Sequence, residues 1–507
     1  MTAVIVKVYK RILKHPFLLL LSACLLSALI FDYSADNYTP FFVAFLCIAV
    51  VLLTALMVYW KSHGGLTEGR IVFLITAAAF IVKLAYVLYT GIGVRQHDIG
   101  TFRVGSKSHS GYIFRLYSEQ SFPDSVSGQY YHPPLHYIIE AVWLKLQTAL
   151  GASFETAQHY VTALTLFYSC ASGYISYKIF KELNLNKKAA CICYATAALH
   201  PAFIIFAASY NNDCLSVTLM LFALLYLIRW WKNPTFFNII MVAFGIGFGM
   251  MTKLSAVYIA PAAAAVFLIK FLSEKQKLKK VGEFAVFGAI AIPAGTWWSF
   301  RILYKFQARL GYVMRLGTNH DQYVGFHSVS DRLFNLFGGL SEGIYFARGE
   351  NFGNTCHEYN IPSAVLKTSV FGEWHMGEGL TVTEVLAYIL FIVNIIVIAA
   401  SLFCMLHALF KKYEKVPNAL KACLYVLYVS IMGTYVNFCF THAHDCTMDF
   451  RYIVPTVVIG AAFMGMFISD ETESRFKTYI KKGIIYASAV FCVCSALLYL
   501  LANYAAN

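Results

Sequence analysis

The stretch Arg95-Gln96-His97-Asp98 follows a hydrophobic segment at 71–93, and Tyr131-His132-Pro133-Pro134-Leu135-His136-Tyr137 comes after it in the same polar region. An ionisable aspartate therefore stands at the mouth of an apolar segment, and the chain re-enters apolar sequence at a proline pair. Most of the remaining chain is apolar, so ionisable groups are confined to the ends of such segments. Apolar segments of this length decide the fold, because each can cross a bilayer.

The composition is that of a membrane protein. Hydrophobic residues make up 59% of the 507 residues and charged residues 13%, whereas soluble domains carry roughly 25% charge. The chain is therefore expected to be an all-α polytopic membrane protein. Thirteen spans are predicted, near 16–32, 40–60, 71–93, 159–179, 189–209, 214–231, 235–251, 254–272, 282–303, 382–410, 419–440, 452–468 and 483–503.

The connectors between these spans alternate in basic content. Lysine-rich connectors recur at 7–14, 178–188, 275–280, 411–415 and 477–482. Because Lys and Arg concentrate on the cytoplasmic side of membrane proteins, we expect the N-terminus inside and the C-terminus outside. The net charge of +14 is thus a topology signal, and we expect no nucleic-acid partner.

The segment 135–150 is apolar but is not expected to cross the membrane. It carries His136, Glu140 and Lys145, and if it crossed, the basic connector at 178–188 would lie outside. We predict an amphipathic helix in the outer interface, opened by Pro133 and Pro134.

Three regions follow from this topology. Two N-terminal transmembrane helices occupy 1–70, and a signal peptide is the alternative for the first of them. A transmembrane core covers 71–468, with a first outer loop at 94–158 and a second outer loop at 304–381. A cytoplasmic basic loop and the last span occupy 469–507. Most of the 13 cysteines fall within spans, where Cys behaves as a small hydrophobe; Cys356 and Cys446 are the pair that could form a bridge.

Ionisable residues concentrate on the predicted outer face. An aspartate there can accept a proton from a hydroxyl nucleophile, and Arg or Lys at neighbouring helix ends can hold a phosphate. Aromatic side chains can stack on sugars or on a lipid chain. The outer face carries Asp98, Glu119, Asp124 and His132 in the first outer loop, Asp213, Lys253 and Arg301 at helix ends, aromatic Tyr130, Tyr131, Trp297, Trp298 and Tyr452, and His442, His444, Asp445 and Arg451 in the last outer loop.

The order of these motifs resembles that of the C-type (GT-C) membrane glycosyltransferases, and most nearly the bacterial protein mannosyltransferase and aminoarabinose transferase-like group. The resemblance covers about 71–468. It is carried by an acid after an early span, His132-Pro133-Pro134-Leu135-x-Tyr137, His200-Pro201 with Asn212-Asp213, Met251 to Ala256, Trp298 with Arg301, and Arg451-Tyr452-x-x-Pro455.

The resemblance implies a GT-C-type helix bundle and a role for each matching residue. Asp98 would be the catalytic base, and Lys253, Arg301 and Arg451 would contact the donor phosphate. Tyr131 and His132 would line the cavity, and His97, Glu119 and Tyr452 complete the expected substrate-binding residues. The donor would be a polyprenyl-phosphate-linked sugar and the acceptor a hydroxyl of a protein, lipid or polysaccharide. Transfer would usually invert the anomeric centre, on the outer face of a bacterial cytoplasmic membrane.

The sequence departs from the family at its acidic pair. The protein mannosyltransferases carry Asp-Glu where this chain has His97-Asp98, so a second acid would have to come from Glu119 or Asp124. No cofactor is required by the sequence, and a divalent metal is possible. The motif His442-Ala443-His444-Asp445 could form a metal clamp, although such loops are more often unliganded.

Each candidate residue also has a purely structural interpretation. Asp98 could cap a short helix, and Lys253 and Arg301 could extend from helix ends to the interface. Arg451 could pair with Asp445 or Asp449, Asp213 with a basic helix end, and His132 could only orient the proline turn. For the whole chain, the alternative function is that of a transporter or flippase for a lipid-linked or polar solute, and a third is a non-catalytic assembly subunit.

Overall fold

A computed structural model describes residues 15–31, 33, 40–347, 357–376, 380–471 and 474–501. Over these ranges the chain is all-helical, apart from one isolated antiparallel pairing between Tyr323 and His444. The twenty α-helices are α1 Pro16–Ile30, α2 Pro40–Ser62, α3 Glu68–Leu88, α4 His109–Ser118, α5 Leu135–Ala149, α6 Phe154–His159, α7 Thr162–Glu182, α8 Lys187–Ala198, α9 Pro201–Ala207, α10 Asp213–Lys232, α11 Phe236–Thr252, α12 Ala260–Ser273, α13 Lys277–Phe306, α14 Val329–Phe334, α15 Leu336–Ser341, α16 Ile361–Phe371, α17 Thr381–Phe410, α18 Asn418–Thr441, α19 Pro455–Ser469 and α20 Arg475–Leu501. Short 3₁₀ helices lie at Gly128–Tyr131, Leu254–Ile259, Asp445–Met448 and Phe450–Tyr452.

Every predicted span coincides with helix, which confirms the all-helical membrane fold. In the described residues, 8 helices are long and apolar enough to cross a membrane, or up to 9 if the bent pair α8–α9 is one span. The other predicted spans correspond to α7 and to the shorter apolar helices α1, α11 and α19. The count of thirteen therefore stays a prediction.

The helix α7 is central and unusually polar. Its buried face includes Thr165, Ser169, Ser172 and Ser176. Three of these hydroxyls donate to backbone carbonyls, and Ser172 Oγ lies 2.8 Å from Thr218 Oγ1 on α10. Helices within a membrane associate through such polar and small side chains. Burial among other helices therefore accounts for a helix that is less apolar than its neighbours.

The helix α11 is continuous although its sequence contains three closely spaced glycines. A Cβ at Gly245 would lie 2.7 Å from Ala223 Cβ on α10, and one at Gly247 would lie 3.0 Å from Ala294 Cβ on α13. The glycines therefore permit close helix packing and do not break the helix. The contact between Gly245 and Ala223 holds the C-terminal half of α11, which leads to Lys253, against α10.

The first outer loop forms its own small core. As predicted, the proline pair is followed directly by a helix, since α5 begins at Leu135 with Pro134 at its N-cap. His136 and Glu140 on this helix are fully buried, so these polar groups face protein. Buried aromatic residues, among them Tyr112, Tyr137 and Trp298, join α4 and α5 to α13.

Candidate active site

Asp98 lies in a tight turn between α3 and α4 and is exposed. Its φ is 50° and that of Arg95 is 49°, a left-handed region that non-glycine residues rarely adopt. The carbonyl oxygen of Asp98 accepts a hydrogen bond from His109 N at 3.1 Å. The N-cap of α4 is Ser108, whose hydroxyl accepts from Gly111 N. The hypothesis that the Asp98 side chain caps that helix is therefore wrong.

Lys253 and Asp213 form an ion pair at the ends of two packed helices. Lys253 is the extended C-cap residue of α11, and Asp213 is the first residue of α10; the Lys253 ammonium bonds the Asp213 carboxylate. Asn212 Nδ2 also donates to the Thr252 carbonyl at 2.7 Å, which fixes the two helix ends together. Burial lowers the pKa of Lys253, and Asp213 opposes that shift.

Arg451 and Tyr452 come from the last outer loop and meet the same lysine. Arg451 Nη2 donates to Tyr452 Oη at 2.9 Å. The Tyr452 ring centroid lies 4.9 Å from Arg451 Cζ and 5.0 Å from Lys253 Nζ, so two cations contact one aromatic ring. Burial alone would lower the pKa of Arg451, but Tyr452 and Asp449 beside it raise that pKa above its ordinary value.

The His-Pro-Pro segment closes another side of this cluster. The His132 ring lies 4.1 Å from the Tyr131 ring and 5.7 Å from the His109 ring. Burial, then the positive charges of Lys253 and Arg451, hold the pKa of His132 well below its ordinary value. His132 is therefore a neutral imidazole at neutral pH, one that could donate or accept a hydrogen bond.

The structure brings most of the expected site residues together. The negative charge of Asp98 is among the influences that raise the pKa values of Tyr131 and Arg451 and that oppose the lowering of the Lys253 pKa by burial. With Tyr452 and His132 these residues form what we call the Asp98 cluster: Asp98, Tyr131, His132, Asp213, Lys253, Arg451 and Tyr452.

Arg301 and Glu119 are placed elsewhere. Arg301 Nη2 donates to the Pro123 carbonyl at 2.8 Å, and its guanidinium lies 4.5 Å from the Trp298 ring centroid. Glu119 pairs with Arg115 at 3.2 Å, and Asp124 pairs with the same arginine at 3.1 Å. These contacts belong to the core of the first outer loop, so they support neither a phosphate contact by Arg301 nor Glu119 or Asp124 as a partner of Asp98.

The last outer loop does not form the metal clamp that its sequence suggested. His444 Nε2 bonds the Gly317 carbonyl at 3.1 Å, Asp445 meets His357 Nδ1 at 3.1 Å, and His442 Nδ1 bonds Thr441 Oγ1 at 3.1 Å. The three side chains therefore engage different partners. Cys446 is half-buried, and Cys356, its possible bridging partner, lies outside the described residues.

Sequence reasoning missed one acid beside the Asp98 cluster. This acid is Glu373, in the turn after α16, and its Oε2 lies 3.5 Å from His97 Nδ1. On the other side of the same imidazole, Asp449 Oδ2 lies 3.4 Å from His97 Nε2. Glu373 belongs to the second outer loop, which carries no motif near it, so no spacing in the chain indicated this contact. His97 itself is thus held between two carboxylates.

The assembled groups suit transfer of a group from a phosphate. Lys253 and Arg451 could neutralise two phosphate oxygens, with Tyr452 between them. Asp98 is exposed, so an acceptor hydroxyl could reach its carboxylate. Displacement of a phosphate leaving group needs a base that takes the proton of the nucleophile and cations that stabilise the charge on the phosphate.

Comparison with known proteins gives one family match and similarity to solved structures. Residues 132–299 match the family model described as dolichyl-phosphate-mannose-protein mannosyltransferase. No curated protein was found to match the chain. Among solved structures, ArnT from Cupriavidus metallidurans in the apo state is similar over 85% of this chain and 76% of that chain, with 10% sequence identity and a TM-score of 0.47.

The matched segment begins at His132 and includes Asp213, Lys253 and Trp298. It therefore contains the His-Pro-Pro motif and the ion pair at the ends of α10 and α11. The match confirms the resemblance of this integral membrane protein to the GT-C glycosyltransferases of the protein mannosyltransferase group.

Proposed function

We propose that this protein transfers a sugar from a polyprenyl-phosphate-linked donor to a hydroxyl acceptor on the outer face of the membrane, with inversion of the anomeric centre. The observation that supports this most is the meeting of Lys253 and Arg451 on the Tyr452 ring, with the charge of the exposed Asp98 acting on both cations. Asp98, Lys253 and Arg451 come from separate parts of the sequence, and the family match at 132–299 covers only Lys253.

Asp98 would act as general base. Its carboxylate takes the proton of the acceptor hydroxyl, and the hydroxyl oxygen forms a bond to the anomeric carbon. The bond between that carbon and the phosphate oxygen breaks, and the electron pair leaves with the polyprenyl phosphate. Attack and departure occur on opposite faces of the sugar, which is why we expect inversion.

Lys253 and Arg451 would bind the phosphate and stabilise the charge that develops on it. Asp213 keeps Lys253 oriented through their ion pair, and Asp449 accepts a hydrogen bond from Arg451 N at 2.7 Å. Both cations are therefore positioned before the donor arrives, so little ordering is needed during the reaction.

The test is a transfer assay with the purified protein in lipid vesicles. A panel of polyprenyl-phosphate sugars is offered with hydroxyl acceptors, and loss of donor is followed by mass spectrometry. Asp98→Asn should reduce transfer at least about a hundredfold, within the range for a general base, while donor binding is retained. The matched control is Asp124→Asn, another acid of the first outer loop, which pairs with Arg115 and should leave turnover nearly unchanged. Full activity of Asp98→Asn would refute the assignment of the base.

A further inference from the structure

Three side chains with metal-ligating atoms converge beside the Asp98 cluster. His97 comes from the first outer loop, Glu373 from the turn after α16, and Asp449 from the loop before α19. One ligand atom from each lies within 4.8 Å of the other two. The described ranges contain no other such group of three.

The two acids of this group are taken out of water. The side chains of Glu373 and Asp449 are 0% and 3% exposed, and that of His97 is 12% exposed. The Trp374 ring covers the imidazole, with ring centroids 4.7 Å apart. Two carboxylates brought this close in a buried place require compensating positive charge.

We propose that His97, Glu373 and Asp449 bind one divalent first-row cation such as Mn²⁺ or Zn²⁺. One imidazole nitrogen and two carboxylate oxygens form a mixed ligand set that suits such ions better than Mg²⁺ or Ca²⁺, which prefer oxygen alone. The ion neutralises both acids, and water or a substrate oxygen completes its coordination.

The distances agree with this proposal. Metal–ligand bonds of about 2.1 Å in tetrahedral geometry place ligand atoms about 3.4 Å from each other. One ligand atom of each residue lies within 4.8 Å of the other two, which a small rearrangement could bring to this spacing. The two carboxylates lie 3.5 and 3.4 Å from different nitrogens of His97, farther than charge-assisted hydrogen bonds of about 2.7–2.9 Å. Because the two ring nitrogens face different acids, the imidazole must turn so that one nitrogen meets the ion.

The neighbouring charges are compatible with a cation here. Arg451 lies close enough to Asp449 for the acid to raise its pKa, and Asp449 Oδ1 is directed to Arg451 N. Oδ2 of the same carboxylate is the oxygen that faces His97. Arg95 lies over the Tyr86 and Tyr89 rings, and its Nη1 is 3.3 Å from Met376 Sδ.

The bound ion would tie together the segments that carry the reacting groups. His97 directly precedes Asp98, and Asp449 lies two residues before Arg451. The ion would therefore fix the position of the proposed base relative to the proposed phosphate contact. His97, Glu373 and Asp449 would then be positioning residues, with the metal outside the bond-making steps.

Metal binding can be measured without any assay of sugar transfer, so its outcome is separate from that of the proposed function. The full chain is purified in detergent, stripped with EDTA and titrated with Mn²⁺, and free Mn²⁺ is counted by electron paramagnetic resonance. We expect one saturable Mn²⁺ per chain that Zn²⁺ displaces. Glu373→Gln and His97→Gln should each weaken binding at least about tenfold.

His442→Ala is the matched control, because this histidine lies in the last outer loop but bonds Thr441; its Mn²⁺ titration should match that of the unmodified protein. Thermal unfolding with and without Mn²⁺ provides a second readout, since an ion that binds the folded state raises the Tm. This rise should be absent in Glu373→Gln. If that variant does not fold, the His97→Gln titration decides.

The proposal is overturned if neither Mn²⁺ nor Zn²⁺ binds saturably, or if Glu373→Gln binds as the unmodified protein does. In that case the cluster is an ion pair in which a protonated His97 bridges two carboxylates.

Discussion

Tyr452 is the residue on which the two candidate phosphate-binding cations meet. Lys253 and Arg451 both lie about 5 Å from its ring, and its hydroxyl accepts a hydrogen bond from Arg451. Two like charges so close repel each other, and the negative face of an aromatic ring offsets part of that repulsion. The ring therefore keeps two cations near one another before any anion is bound.

Substitutions of Tyr452 should separate the contributions that its ring and its hydroxyl make to donor binding. Tyr452→Leu removes both cation–π contacts, and we expect the KM for the lipid-phosphate donor to rise about tenfold, consistent with about 0.5–1 kcal/mol for each contact. Tyr452→Phe keeps the ring and should raise KM only about two- to fivefold. Initial rates at varied donor concentration measure both, and equal KM values in the two variants would contradict a role for the ring.

Residue positions were predictable from sequence only where a helix end fixes them. Lys253, Asp213 and Arg451 each adjoin a helix that ends at the same end of the bundle, so their proximity followed from topology. Arg301 also adjoins that end, but the aromatic core of the first outer loop holds its guanidinium against Trp298. Glu373 could not be found, because its loop position follows from tertiary packing and from no local pattern.

At the scale of the element, α11 connects close helix packing to the position of Lys253. Gly245 faces Ala223 of α10, and the C-terminal end of α11 leads directly into Lys253. A bulkier residue at Gly245 must push α11 away from α10. Such a movement would also draw Lys253 from Asp213, since each lies at the end of one of these helices.

Gly245→Ala should therefore reduce both stability and turnover. The added Cβ would lie 2.7 Å from Ala223 Cβ, and overpacking of this kind costs about 1–3 kcal/mol. We expect a lower Tm in detergent and a several-fold lower kcat. Gly282→Ala on α13 is the control, because its Cβ would meet nothing within 4 Å and alanine favours helix. If the Gly245→Ala protein were as stable as the Gly282→Ala protein, close packing of Gly245 against Ala223 would be excluded.

At the scale of the whole molecule, the helical fold could be predicted but the membrane boundaries could not be confirmed. Long apolar runs predicted α2, α3, α10, α13, α17, α18, α20 and the segment Leu254–Ser273, which ends in α12, as spans, and all have the required length and composition. For α7, buried hydroxyls replace apolar side chains, and α8 and α9 meet at a bend of 50°. Hydropathy underestimates such helices, because neighbouring helices satisfy polar groups that lipid could not.

Topology can be tested by labelling single cysteines in intact cells with a membrane-impermeant maleimide. In a background with Cys356 and Cys446 changed to Ser, Asp98→Cys should be labelled from outside and Lys279→Cys only after the cells are opened. The expectation rests on the basic connector at 275–280, which the positive-inside rule places in the cytoplasm. Labelling of Lys279→Cys but not of Asp98→Cys in intact cells would reverse the orientation.

The left-handed backbone of Asp98 limits which amino acids can stand at that position in a folded protein. Glycine and asparagine tolerate a φ of 50° without much strain, whereas valine, isoleucine and threonine do not. A saturation library at this codon should therefore divide into three phenotypes: active aspartate, stable but inert glycine and asparagine, and poorly expressed β-branched variants. The expression level would then report on the backbone conformation at position 98, and the rate of catalysis would report on the negative charge there.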